Sequence, residues 1–113
     1  MPMRYDIRAE HGADCSIDFV CRDPRAGYVT DIAYALLTVR TTADGTPAYT
    51  FDSDVDNEIT FTGERVELRI PWTTVNTYPA QVSSYDLEIR TVEGARYNPF
   101  VGSFIVSADG DDV

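Results

Sequence analysis

Apolar and polar residues alternate along most of this chain, most clearly in its last third. Within Ser84–Thr91, the apolar residues Tyr85, Leu87 and Ile89 alternate with charged ones. Such alternation is typical of a β-strand with one face in the core and the other in water. A turn containing Gly follows, and a second alternating run returns over Phe100–Ser107. This region therefore predicts an antiparallel hairpin.

Shorter segments of the same kind occur throughout the chain, separated by turn residues. Asp-Pro and Asp-Gly steps mark turns within Arg22–Gly27 and Ala43–Thr46. Pro71 ends one segment, because it has no N–H to give to a sheet. Trp72–Pro79 then loses the period of two and predicts a single helical turn or a 3₁₀ turn. The predicted strands are Arg4–Ala9, Cys15–Cys21, Tyr28–Ile32, Tyr34–Thr42, Ala48–Phe51, Ile59–Phe61, Val66–Ile70, Ser84–Thr91 and Phe100–Ser107.

Short strands between frequent turns predict an all-β fold, specifically a small antiparallel Ig-like β-sandwich of about seven strands. A chain of 113 residues is expected to form a single domain. We place that domain at residues 1–108 and expect a flexible acidic tail at 109–113. The residues predicted to share one buried cluster are Leu37, Val39, Leu68, Ile70, Tyr85, Leu87, Ile89 and Phe104.

Both cysteines, Cys15 and Cys21, fall on the predicted inner face of one strand. Along an extended strand their separation is about 20 Å. A disulfide needs Cα atoms within ~7 Å. The sequence therefore predicts two buried, reduced thiols that are not bonded to each other.

Charge narrows the possible partners. The formal net charge is -10, and every basic residue is Arg. Phosphate backbones repel such a chain, which argues against nucleic-acid binding. There is no run of ~18 apolar residues, so no membrane span is expected. The N-terminal segment also lacks the apolar centre of a signal peptide.

An acidic loop is the strongest local candidate for a ligand site. Asp52, Asp54 and Asp56 alternate as the first three ligands of an EF-hand Ca²⁺ loop do. The Glu needed at the twelfth position of that template is missing, so a solvated loop is favoured and no metal or cofactor is expected. His11 is the only histidine, and no nucleophile motif accompanies it. We therefore predict no catalytic residues and a protein that is not an enzyme.

Aromatic residues are the remaining candidates for binding. Trp72, in the irregular segment, either seals one end of the sandwich or is an exposed anchor for a partner. The tyrosines are too numerous for all of them to lie in the core, so some are expected on outward strand faces. This group comprises Tyr28, Tyr34, Tyr49, Tyr78 and Tyr97.

The order of several short motifs is more distinctive than any one of them. The motifs are Ile7-Arg8, Asp18-Phe19, Asp23, Val29–Ile32, Leu37–Arg40, Asp44–Pro47, Val66–Ile70, Tyr78–Ala80, Tyr85–Ile89 and Gly102–Val106. In this order the chain resembles a family of small tailed-phage virion structural domains, similar to the N-terminal domain of phage baseplate upper proteins. The two cysteines, the acidic loop and the shortened segment at Trp72 depart from the family pattern.

The resemblance implies a structural virion component without catalytic residues. Such a protein would bind other virion proteins at the tail, baseplate or fibre-attachment region, in a symmetric oligomer. Two alternatives remain open. One is a capsid decoration protein held on the shell. The other is a carbohydrate-binding module that contacts the host surface through exposed Tyr and Trp.

Sheet edges indicate how such a protein would assemble. Soluble β-proteins protect edge strands with Lys, Pro or bulges, but this chain has no Lys, and most of its Pro lie in turns or at strand ends. We therefore expect an edge strand or the segment Arg4–Ala9 to pair with a neighbouring subunit or virion protein. The interface candidates are Arg4, Tyr5, Ile7, Trp72 and Tyr78.

Overall fold

The fold is described from a computed structural model, over residues 3–23, 27–29, 31–41 and 47–108. These residues form short strands and one helical turn, α1, at Trp72–Val75. The strands are β1 Met3–Arg4, β2 Ile7–Glu10, β3 Cys15–Val20, β4 Arg22–Asp23, β5 Gly27–Tyr28, β6 Ile32–Arg40, β7 Pro47–Asp52, β8 Ile59–Thr62, β9 Arg65–Ile70, β10 Val82–Thr91 and β11 Arg96–Ser107.

Two sheets of unequal width pack face to face. The larger has the order β1-β11-β10-β6-β7, with β2 also paired to β11. The smaller has the order β3-β9-β8, and β4 and β5 form a separate two-stranded ribbon. The predicted all-β sandwich is confirmed, as is the single helical turn after Pro71.

The first strands pair in a way that alternation alone does not reveal. Both β1 and β2 run parallel to β11, whereas the other strand pairs are antiparallel within the described residues. The predicted single strand Arg4–Ala9 is also divided at Tyr5 and Asp6. The closing strand begins at Arg96, four residues before the predicted start at Phe100.

The core lies between the two sheets. All eight residues predicted to be buried together belong to one cluster there. Cys15 and Cys21 are buried in the same cluster and are not bonded to each other, as predicted. The register is therefore correct on β6, β9, β10 and β11, since a shift of one residue would turn these side chains to solvent.

Some predictions concern residues outside the described ranges. They are the turn at Ala43–Thr46, the middle of the turn at Arg22–Gly27, Thr30 in the Val29–Ile32 motif, and the tail at 109–113.

Candidate protein-interaction edge

One long side of the sandwich is formed by an edge strand from each sheet. The larger sheet ends there in β1 and β2, and the smaller sheet ends in β3. The chain crosses between them at residues 11–14. The His11 N–H donates to the Ser107 carbonyl at 2.9 Å, and the Gly12 N–H donates to Asn76 Oδ1 at 2.7 Å. This crossing is therefore tied both to β11 and to the segment after α1.

The break between β1 and β2 has a specific cause. The Tyr5 carbonyl turns into the sandwich, where it accepts a hydrogen bond of 2.6 Å from the buried Tyr85 hydroxyl. The Asp6 side chain then accepts the Ser103 N–H at 3.0 Å in place of a main-chain partner. The polar atom of Tyr85 is thereby satisfied inside the core, as buried hydroxyls require.

Gly102 makes this inward turn possible. A Cβ on Gly102 would lie 2.1 Å from the Tyr5 carbonyl oxygen. Any larger residue would push the first strand away from β11. The close approach of two backbones at this point therefore requires glycine.

Apolar groups remain accessible beside this break. Met3 is 60% exposed and Tyr5 is 45% exposed. Because Met3 is in register with Phe100, and Tyr5 packs edge-on against Phe19, both belong to the inner side of the larger sheet. Ile17, on the inner face of β3, is only partly buried. The core is thus incompletely covered along this side.

The main chain of β3 is paired on one side only within the described residues. The Arg69 N–H donates to the Glu58 carbonyl, so Arg69 directs its main-chain groups away from β3. Because Ser16 is the β3 residue opposite Arg69, its N–H and C=O point to the open edge. The same alternation directs the main-chain groups of Asp18 and Val20 outward.

Charges on the outer face of β3 are locally balanced. Asp18 pairs with Arg69 at 2.7 Å and with Arg65 at 3.7 Å. Glu67 lies 3.9 Å from Arg69. This cluster has two positive and two negative side chains, so β3 does not share the strong negative charge of the whole chain.

The five predicted interface residues have different surroundings. Arg4 is exposed and contacts Asp6 at 3.3 Å and Ser103 at 3.2 Å. Tyr5 is exposed beside it. Ile7 and Tyr78 lie in the core, so their side chains are not available at the surface. The expectation is corrected for these two, because Ile7 is an inward residue of β2 and Tyr78 packs on Tyr49 and Phe104.

Trp72 is the first residue of α1 and lies close to the residues that lead into β3. It is 50% exposed, so it does not seal the sandwich end as a buried ring would. The main-chain N–H of Trp72 donates to Asp14 Oδ1 at 2.8 Å. A cleft of about 210 Å³ lies next to it, lined by Asp14, Ser16, Arg69, Ile70 and Pro71. An exposed ring beside polar groups is a second surface that could hold a ligand.

The acidic loop uses its carboxylates to hold its own backbone. Asp56 accepts the Asp52 N–H at 2.9 Å, and Asp52 accepts the Asp54 N–H at the same distance. The other oxygen of Asp52 accepts the Tyr34 hydroxyl. Among the described residues no group of three or more His, Cys, Asp or Glu side chains is arranged to hold a metal ion.

The histidine and the two cysteines are held in structural contacts. The His11 ring Nε2 donates to the Tyr78 carbonyl at 2.7 Å. Burial raises the pKa of the Cys21 thiol to about 12 and raises that of Cys15 as well. Both thiols are therefore held in their unreactive protonated form.

No described helix is long and apolar enough to cross a bilayer.

Sequence reasoning missed Asp6, Gly102 and the outward groups of β3. Gly102 interrupts the apolar alternation of a strand, which is a signal of close backbone approach. The open edge of β3 has no signal of its own, because strand order depends on the whole fold.

Comparison with known proteins finds no relative: no family model and no curated protein matches this chain.

Proposed function

We propose that this protein is a non-enzymatic structural component of a tailed-phage virion that binds other virion proteins at the tail, baseplate or fibre-attachment region. The observation that carries the proposal is the open side of the sandwich, where the edge of β3 has no partner strand among the described residues and lies beside exposed Met3 and Tyr5. The motif order described above supplies the link to virions.

The properties of the rest of the molecule agree with an assembly role. The acidic loop and His11 contact the protein's own backbone, and both thiols are buried. The net charge of -10 keeps unassembled copies apart until a complementary surface receives them.

The test uses purified particles of the phage that encodes this chain. Mass spectrometry of the particles determines whether the protein is present, and electron microscopy with a labelled antibody locates it. The proposal predicts label at the tail end. Label spread over the shell would support the capsid decoration alternative, and absence of the chain from particles would contradict both.

A host-surface glycan-binding role is the second candidate, and Trp72 is the observation that favours it. A half-exposed indole beside a cleft with Asp14 and Arg69 offers stacking and hydrogen bonding to a sugar ring. A glycan array probed with the isolated domain tests this role. Binding that is lost in Trp72→Ala and kept in Tyr5→Ala would favour the glycan role over the assembly role.

A further inference from the structure

We propose that the outer edge of β3 is a binding site for an extended segment of a partner protein, which joins the smaller sheet as a fourth strand. This inference rests on the proposed function for one point, that the partner is another virion protein. It adds which edge of the sandwich is used and which chemistry the bound segment has.

The main-chain groups of β3 provide the specific contacts. Ser16, Asp18 and Val20 direct an N–H and a C=O each toward the open edge, and none of these main-chain groups has a hydrogen-bond partner in the described part of the chain. Their spacing is that of a regular strand without a bulge. An extended segment satisfies such a row of donors and acceptors by strand addition.

The other sheet edges are less suitable for such pairing. β1 and β2 are interrupted at Tyr5 and Asp6. β7 begins at Pro47 and has a register shift beside it, and β8 is only four residues long. Breaks, prolines and short lengths are the usual protections of edge strands. Of the described edges, β3 alone combines six residues with an unbroken register.

Exposed apolar side chains lie beside the β3 edge. Met3 and Tyr5 are on the inner side of the larger sheet, at the same long side of the sandwich as β3. Inward side chains of an added strand would contact these residues and the half-buried Ile17. We therefore infer a segment with an apolar residue at every second position.

The outward side chains of the added strand would lie next to Asp18 and Val20. Asp18 is already neutralised by Arg65 and Arg69, so neutral or basic residues fit there without repulsion. A second copy of this chain fits less well, because each copy carries a net charge of -10. The segment is therefore assigned to a different protein, with alternating apolar and neutral or basic residues.

The first experiment measures amide hydrogen exchange of the isolated protein at low concentration by NMR. The amides of Ser16, Asp18 and Val20 are expected to exchange much faster than those of Cys15, Ile17 and Phe19, which bond to β9. Equal protection of all six amides would overturn the proposal.

The second experiment uses a yeast-displayed library of random peptides long enough to span β3, selected on the biotinylated domain. Selected peptides should lack Pro, show alternating apolar residues and slow the exchange of the Ser16, Asp18 and Val20 amides. Ser16→Pro removes one edge N–H without touching the β9 ladder and should weaken binding about tenfold or more. Ser16→Ala keeps that N–H and should bind as the unchanged protein does.

Each other outcome has a defined meaning. Peptides that protect no β3 amide, or that bind Ser16→Pro and Ser16→Ala equally, would overturn the proposal. The exchange measurement uses the unchanged protein, so it remains a test even if the Ser16→Pro variant does not fold. A dimer that Ser16→Pro dissociates, seen by sedimentation, would overturn the assignment to a different protein. Edge binding by a chain absent from particles would refute only the proposed function. A chain present in particles without edge binding would refute only this inference.

Discussion

Single side chains determine how the first strand attaches to this sandwich. The Tyr85 hydroxyl reaches across to the Tyr5 carbonyl, and Gly102 leaves the space that this carbonyl needs. Apolar alternation places Tyr85 in the core and marks Gly102 as an interruption, but it does not identify the atom that the Tyr85 hydroxyl meets. The burial of Tyr85 was predictable, whereas its hydrogen bond depends on a parallel pairing between the two ends of the chain.

Replacing Leu87 by Ala tests the core directly. Leu87 is fully buried between the sheets, so the truncation is expected to lower the free energy of unfolding by about 2–5 kcal/mol. Chemical denaturation measures this loss. The matched control is Val82→Ala on the same strand, where 67% exposure predicts a change within about 0.5 kcal/mol. Similar losses in both variants would contradict the assigned register.

Replacing Gly102 by Ala tests the close approach of the first strand. The added Cβ would meet the Tyr5 carbonyl oxygen at 2.1 Å, so the strand must move. We expect a loss of about 1–3 kcal/mol in unfolding free energy, typical of overpacking, together with faster exchange of the Tyr5 amide. Ser103→Ala, which removes only an exposed contact with Arg4, should change little. Unchanged exchange at Tyr5 in the Gly102 variant would refute the close approach.

Alkaline pH should destabilise the fold. Burial raises the pKa of Cys21 from 9.0 to about 12, and that of Tyr78 from 10.0 to about 12. Because the unfolded chain loses these protons first, their contribution is complete below about pH 9 and is lost as the pH rises toward 12. Urea unfolding at a series of pH values measures the decline. A Cys21→Ala variant should show a shallower decline, and an equally steep one would remove Cys21 as a cause.

At the scale of elements, the predicted strands, their inner faces and the turn α1 largely agree with the structure. Local alternation is sufficient for this, because inward residues such as Leu37 and Leu68 repeat with the strand period. The order of the strands in each sheet, in contrast, does not follow from local alternation. The parallel pairing of β1 and β2 with β11, and the open edge of β3, arise from contacts between distant parts of the chain. No local pattern encodes them.

Stepwise removal of the N-terminal strands tests how much β1 and β2 each contribute to the stability of the fold. Deleting residues 1–4 removes β1, whose described residues are exposed, and should lower the melting temperature only slightly. Deleting residues 1–10 also removes the buried Ile7 and Ala9. Burial of an Ile side chain alone is worth about 1.5–3 kcal/mol, so this variant should be strongly destabilised. Thermal unfolding followed by circular dichroism compares them, and equal losses would contradict the division into β1 and β2.

At the level of the whole molecule, the net charge and the open edge of β3 are the observations on which the proposed partner and its binding edge rest. The net charge was readable from the sequence, but the locally neutral face around Asp18 was not, because its Arg partners lie on another strand. Within the described residues, the β3 edge is both unpaired and locally neutral, as the proposed strand addition requires.

The charge distribution predicts that duplex DNA is not a ligand. A net charge of -10 opposes binding to phosphates, and six arginines already contact acidic side chains. Titration of labelled duplex DNA at low salt should show no binding in the micromolar range. Tight binding that weakens steeply with added salt would reveal a basic surface and contradict this account.

A cryo-electron microscopy structure of the assembled particle is the strongest test of strand addition at β3, because it shows what touches each edge of the sandwich. We expect an additional strand of another virion protein, hydrogen-bonded to Ser16, Asp18 and Val20, with its inward side chains near Tyr5. An assembly in which the β3 edge faces only solvent, and contacts run through the sheet faces instead, would contradict it.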